Sequence, residues 1–182
     1  MKIYVTGLGV VSGIGLGVAE NIASLRKHQH GMGKVTLFPT ELDVPVSEVK
    51  YSNEELKRLL SLDIQKTFSR TALLGMLAAR EAVDDARLDL NTLRVGLISS
   101  TSVGGMDLSE HFYNTFKKDN RKGRLREVIS HDCGASTEMI ADYLKANDFV
   151  TTISTACSSA ANAIMLGARM IRNGQLDAAI VG

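Results

Sequence analysis

An α/β fold built on a largely parallel sheet is predicted for this 182-residue chain, on three observations. Residues 94–100 and the run Phe149-Val150-Thr151-Thr152-Ile153-Ser154 are apolar, rich in β-branched residues and of strand length. The segments between such runs carry apolar residues at three- and four-residue spacing, the pattern of amphipathic helices. Strands and helices therefore alternate along the chain, and strands joined through helices return to one sheet in parallel. No internal repeat is visible, and the whole chain reads as a single domain, residues 1–182.

Taken in order, residues 2–11 read as a first strand and 17–28 as a helix, followed by an irregular stretch with extended pieces over 34–50. Ser52-Asn53-Glu54-Glu55 is a capping box for a helix at 52–61, with Leu56, Leu59 and Leu60 on its apolar side. A long helix over 67–87 follows from Ala72, Met76, Ala79, Val83 and Ala86. Next come a strand (94–100), a loop with a short helix (105–118), a basic linker (119–127) and a helix (136–146). A strand–cysteine–helix unit closes the order, with Gly174 two residues past Arg172 as a helix stop. The chain then runs out inside Ala178-Ala179-Ile180-Val181-Gly182, which reads as a buried strand, a place where domains seldom end.

Composition narrows the function classes. The chain is 45% hydrophobic and 23% charged, which is ordinary for a globular protein able to bury a core. Lys and Arg total 21 against 20 Asp and Glu, so no global charge points to nucleic acid or a membrane surface. Two cysteines, Cys133 and Cys157, make no disulfide framework, which suits a reducing, cytoplasmic compartment. Lys2 is followed only by a short apolar run and a glycine-rich turn, unlike a signal peptide, and no stretch approaches a membrane span.

The chemistry centres on Cys157. Thr155-Ala156-Cys157-Ser158-Ser159-Ala160-Ala161 is a run of small residues that permits a tight strand-to-helix turn. That places Cys157 at the first turn of a helix, where unpaired N–H groups and the helix dipole favour a thiolate. A thiolate suits acyl transfer through a thioester. The competing reading is an inert buried cysteine, since cysteine is among the most buried residue types. The helix behind it is apolar on nearly every face (Ala163, Ile164, Met165, Leu166, Ala168, Met170, Ile171) and is expected to be buried.

Three further features carry less. Gly7, Gly9, Gly13, Gly15 and Gly17 invite a dinucleotide-binding reading, but the sixth place from Gly7 is Ser12. The nearest downstream acid, Glu20, also lies far short of the ribose-binding position, so a tight, closely packed turn is preferred. His28, His30, His131 and Cys133 lack the spacing of common zinc motifs, and no metal is expected. Lys117, Lys118, Arg121, Lys122, Arg124 and Arg126 place six positive charges in ten residues, relieved only by Asp119. Such a run is either a solvated face or a dock for an acidic partner, and no aromatic residues interleave it as single-stranded nucleic acid would require.

The motif Thr155-Ala156-Cys157-Ser158-Ser159-Ala160 resembles the nucleophile motif of the β-ketoacyl–acyl carrier protein synthases, the condensing enzymes of fatty-acid and polyketide synthesis. The resemblance runs along the chain. Ile3-Tyr4-Val5-Thr6-Gly7-Leu8-Gly9-Val10-Val11-Ser12 is similar to the family's first strand and turn, and Phe68-Ser69-Arg70-Thr71-Ala72 through Ala86 to its helix before the second strand. Arg94-Val95-Gly96-Leu97-Ile98 with Ser102-Val103-Gly104-Gly105 resembles the second strand and its glycine loop, and Gly174 to Gly182 the strand after the nucleophile helix.

The resemblance implies a thiolase-like half with helices on both faces of a parallel or mixed sheet, its second half repeating the same fold. It implies Cys157 as the nucleophile and two catalytic histidines supplied by the second half, which makes His131 an unlikely base. It places Val103 at the gate of an acyl pocket that residues 130–139 line near a dimer interface, with Gly104 and Gly105 letting the loop pass close. It implies no cofactor, a homodimer or partner subunit, and acyl carrier protein as the acidic partner, docking through Lys66, Arg70 and the basic run Arg121, Lys122, Arg124 and Arg126. Ser100 and Ser102 stand where many members carry glycine, and Asn147-Asp148 is shorter than the usual connection, which bears on acyl chain length. Two other readings compete: a thiolase acting on coenzyme A thioesters, which needs no docking patch, and a non-catalytic partner subunit, which generally lacks the nucleophile.

Overall fold

A computed structural model describes all 182 residues. In chain order the elements are β1 (Val11–Ser12), β2 (Gly15–Leu16), α1 (Val18–Arg26), β3 (Met32–Gly33), β4 (Val46–Ser47), α2 (Asn53–Leu59) and α3 (Arg70–Ala86). Then follow β5 (Val95–Ser100), α4 (Met106–Lys118), α5 (Leu125–Ile129), α6 (Cys133–Leu144), β6 (Phe149–Ile153), α7 (Ser159–Arg172) and β7 (Ala178–Val181). They form two compact units: Met1–Val5, Thr67–Ala72 and Leu88–Gly182 make one, Thr6–Lys66 and Leu73–Arg87 the other.

The first unit is built on a three-stranded sheet ordered β6-β5-β7, parallel throughout. The register pairs Ile98 with Thr151 and with Val181, so alternate residues share faces. On one face Ile98, Phe149, Ile153, Ala179 and Val181 pack with Ala163, Leu166 and Met170 of α7. On the other, Thr152 meets Thr137 of α6 through a hydroxyl pair at 2.6 Å. Helices α6 and α7 thus cover opposite faces, and the expected α/β layering with helices on both sides is the observed one.

Two aspartates begin the two ladders of β5. Asp148, immediately before β6, accepts the Val95 N–H at 2.8 Å. Asp177, immediately before β7, accepts the Arg94 N–H at 2.9 Å and holds the Arg94 guanidinium through both oxygens, at 3.0 and 2.7 Å. The two-pronged contact is geometrically specific, and Arg94 also donates to the Gly174 carbonyl at 2.9 Å.

The N-terminal segment corrects the expected first strand. Residues 2–10 join no ladder; only Val11–Ser12 pair, with Gly15–Leu16. Part of the reason is that side chains of α3 take the backbone donors: Leu8 N–H donates to Asp85 Oδ2 and Val10 N–H to Glu81 Oε2, each at 3.0 Å. Glu81 Oε1 also accepts from Val18 N–H at 2.7 Å. Gly7 and Gly9 make this approach possible, because a Cβ on either would strike the carbonyl oxygen of Ala82 or of Ala78. The glycine cluster serves close packing, as preferred from sequence.

Several helix boundaries differ from expectation. The capping box of α2 is formed, with Ser52 accepting from Glu55 N–H and Glu55 accepting from Ser52 N–H, but Leu59 is 41% exposed while Leu56 and Leu60 are buried. Helix α6 starts at Cys133 rather than 136, because the Asp132 side chain caps the Gly134 N–H at 2.6 Å. The basic linker is partly helical, since α5 begins at Leu125. Helix α7 stops as expected: Gly174, at φ 69°, donates to Ile171 O and Gln175 to Met170 O, both at 3.0 Å. The same closure ends α1, α2 and α6, but with His28, Ser61 and Lys145 in the left-handed conformation.

Two predictions follow from these contacts. A side chain at left-handed φ costs about 1 kcal/mol relative to glycine, so Lys145→Gly raises stability by about 1 kcal/mol in urea denaturation. Asp177 is held at about 2, below its ordinary value of 3.8, chiefly by the hydrogen bond from Arg94. A lowered carboxyl value gives stability that is complete above the ordinary value and lost as pH falls through the lowered one. The urea midpoint of the wild-type chain therefore drops more between about pH 4 and pH 2 than that of Asp177→Asn.

Candidate active site

The turn between β6 and α7 is the most chemically suggestive point in the molecule. Ser154 and Thr155 leave β6 without helical structure, Ala156–Ser158 form a 3-10 turn, and α7 begins at Ser159. Cys157 lies in that 3-10 turn, two residues before the helix, and it is exposed. Ala156, directly before it, has φ 51°, a left-handed conformation that is costly for any residue but glycine.

Hydroxyl and amide side chains brace the turn. Thr155 N–H donates to Ser159 Oγ at 2.8 Å, and Ser159 Oγ donates to the Ala156 carbonyl at 2.7 Å. Ser158 Oγ donates to the Thr155 carbonyl at 2.8 Å, and Asn162 Nδ2 donates to Thr155 Oγ1 at 2.8 Å. Ser159 and Asn162 were not singled out from sequence. Their signal was the second serine after Cys157 and a lone amide in a mostly apolar helix, and neither states a function by itself.

The helix is not buried on nearly every face. Ala163, Gly167 and Met170 face the sheet and are buried, while Ile164 and Met165 are 56% and 44% exposed. The sheet covers one side of α7 only, so residues on the far side of each turn have no cover.

The loop after β5 leaves the same edge of the sheet as the cysteine turn, because β5 and β6 are parallel and Ser100 is level with Ile153. Thr101 Oγ1 accepts from the N–H groups of Val103 and Gly104, at 3.2 and 3.1 Å. Val103 is 53% exposed, whereas Gly104 and Gly105 are buried. A Cβ on Gly104, at φ 59°, would stand 2.9 Å from Cys133 Cα, and one on Gly105 would strike the Ser130 carbonyl. The two glycines therefore bring this loop against residues 130–133, the start of the 130–139 segment singled out from sequence.

The histidines have structural partners or stand apart. His111 Nδ1 is 3.1 Å from the buried Glu127 Oε2, and His131 Nδ1 is 2.9 Å from Ser109 Oγ. His28 and His30 lie in the second unit, beside Gly13, Ile14, Ser24 and Gln29; His131 and Cys133 lie in the first.

The basic residues divide likewise. Lys66 is exposed in the second unit, and the Arg70 N–H in the first donates to Asp107 Oδ2 of α4 at 2.8 Å. Arg121, Lys122 and Arg124 are exposed on the α4–α5 connection, and Arg126 is exposed within α5. Asp119 draws in two of them, Arg121 at 3.2 Å and Lys122 at 3.5 Å, and its carboxyl is lowered first by the backbone bond from Arg121. Arg124 and Arg126 form no ion pair, so the surface stays positive.

Comparison with known proteins gives the family and the fold. Residues 1–182 match the family described as Beta-ketoacyl synthase, N-terminal domain. The 3-oxoacyl-[acyl-carrier-protein] synthase 2 of Staphylococcus aureus (strain MRSA252) is 27% identical over 191 residues, covering 100% of this chain and 45% of that protein. Nodulation protein E of Rhizobium meliloti (strain 1021) is 28% identical over 194 residues, covering 100% of this chain and 46% of its own. The chain thus spans a little under half the length of these curated relatives. Among solved structures, the ishigamide ketosynthase/chain length factor superposes with a TM-score of 0.86 at 29% identity, over 98% of this chain and 46% of that one. A ketosynthase in complex with its chain length factor from Xenorhabdus doucetiae shares the fold, with a TM-score of 0.69 at 22% identity.

Exposure separates the two cysteines, Cys157 being exposed and Cys133 only partly so. Iodoacetamide at neutral pH accordingly modifies Cys157 first in the folded chain, and peptide mass mapping at short times reads the ratio. Equal or reversed labelling counts against an accessible nucleophile at this turn.

Proposed function

The chain belongs to the β-ketoacyl synthase family, and from that premise we propose that it carries the nucleophile half of a 3-oxoacyl-[acyl-carrier-protein] synthase of fatty-acid or polyketide synthesis. The observation that supports this most is the exposed Cys157 on a strained, braced turn between a strand and a helix. In this reading the Cys157 thiolate attacks the carbonyl carbon of an acyl thioester on acyl carrier protein. The carbon–sulfur bond to the carrier breaks, and the carrier leaves as a thiolate that takes a proton from water. A malonyl-carrier then loses carbon dioxide, and the resulting carbanion attacks the Cys157 thioester. A carbon–carbon bond forms, the Cys157 thiolate departs, and the β-ketoacyl chain stays on the carrier.

The Cys157 N–H and a second N–H from the other half of the enzyme stabilise the thioester oxyanion. By the family resemblance that other half also supplies two histidines, so condensation is a property of the whole protein. Val103, Gly104 and Gly105 form the loop at the acyl pocket. Lys66, Arg70, Arg121, Lys122, Arg124 and Arg126 receive the acidic carrier. The enzyme works without a cofactor in the cytoplasm, as a homodimer or beside a partner subunit; the ishigamide ketosynthase/chain length factor, 29% identical, supports the pairing. No helix of the chain is long and apolar enough to cross a membrane.

The test uses the full-length protein and an acyl-carrier thioester. Intact-mass analysis is expected to show one acyl group on Cys157, absent from Cys157→Ala. Reversing Arg121, Lys122, Arg124 and Arg126 to glutamate slows acyl transfer about tenfold at low ionic strength, because clustered charge steers an opposite partner. The difference shrinks as salt is added. Acylation elsewhere on the chain removes the nucleophile, and an unchanged rate with unchanged salt dependence removes the dock.

A further inference from the structure

The side chains of the Cys157 turn point backward. Ser158, at the N-cap of α7, makes no capping bond to the helix; its hydroxyl donates instead to the Thr155 carbonyl. Ser159, only 5% exposed, likewise turns its hydroxyl away from the helix interior. It accepts the Thr155 N–H at 2.8 Å and donates to the Ala156 carbonyl at 2.7 Å. One oxygen thus closes a brace over two consecutive residues, Thr155 at φ −126°, ψ 43° and Ala156 at φ 51°.

A non-glycine residue at positive φ persists only where its surroundings over-determine it. The brace spans the torsions between the Thr155 nitrogen and the Ala156 carbonyl, which are those that put Ala156 in the left-handed region. Ala156 and Cys157 are themselves exposed, so no overlying side chain does this work.

We propose that Ser159 is the positioning residue of the site: its buried hydroxyl holds Ala156 left-handed and so fixes the direction in which Cys157 leaves the turn. Asn162, through Thr155 Oγ1, is its weaker auxiliary. This inference rests on Cys157 being the nucleophile. Losing the hydroxyl leaves the Thr155 N–H and the Ala156 carbonyl free to bond water at an exposed turn, so Ala156 relaxes to negative φ while β6 and α7 stay folded.

The experiment measures iodoacetamide rates at Cys157 and Cys133 within the same folded chain. Ser159→Ala is expected to slow Cys157 about tenfold, since small displacements of a reacting group carry large rate costs, with the Cys133 rate and the far-ultraviolet dichroism unchanged. Adding Ala156→Gly to Ser159→Ala brings the rate back to within about threefold of wild type, because glycine adopts positive φ without strain. A purely structural serine would show neither selectivity for Cys157 nor rescue. Wild-type labelling in Ser159→Ala, or no recovery in the double variant, overturns the proposal while leaving Cys157 as nucleophile. If wild-type Cys157 reacts no faster than Cys133, the nucleophile reading fails and the proposal with it. If Ser159→Ala speeds both cysteines, the chain has loosened. Asn162→Ala then decides: a fall of about threefold at Cys157 alone supports the brace, and an unchanged rate overturns it.

Discussion

The sheet of the first unit depends on how β5 is held at its start. It is the central strand, parallel to β6 on one side and β7 on the other, and parallel ladders are slightly less stable per residue than antiparallel ones. Asp148 and Asp177 supply what the ladders lack at their first rung, each accepting an N–H at the entrance to β5. A one-residue slip of either neighbour would turn its apolar residues to the wrong face. With the register fixed, Ile98, Phe149, Ala179 and Val181 meet α7, and the loops after β5 and β6 leave one edge together.

Much of this was legible in the chain. Strand-length apolar runs and helical spacing gave the order of elements, and the small residues around Cys157 located the strand-to-helix turn. The capping box of α2 and the stop at Gly174 are local codes, complete within a few residues. What escaped is what distance in sequence hides. Residues 2–10 have the composition of a strand, yet the donors of Leu8 and Val10 go to Asp85 and Glu81, more than seventy positions away. Helix α7 reads as apolar on nearly every face, but apolarity does not say how many sides are covered, and Ile164 and Met165 are left open. The candidate site divides in the same way. The cysteine was visible as a motif, whereas the left-handed Ala156 and the reversed hydroxyl of Ser159 are geometry that no spacing rule encodes.

The turn also shows how an exposed side chain can be placed economically. Exposed, uncovered backbone is normally mobile, yet here four short side chains from positions 155, 158, 159 and 162 hold it by bonding to one another and to the local backbone. Rigidity comes from within the loop, so the space over Cys157 need not be filled by packing.

The two aspartate clamps have a temporal side as well. Asp148 reaches back 53 residues to Val95 and Asp177 reaches back 83 to Arg94. Neither ladder of β5 can therefore close early, and on a ribosome the strand emerges long before either neighbour exists. Contacts of such span slow folding, because the loop must be ordered before it is rewarded. Until residue 181 is out, Val95, Leu97 and Ile98 present bare edges and apolar faces of the kind that nascent chains must have shielded. For this sheet, the order of synthesis sets the interval of greatest exposure.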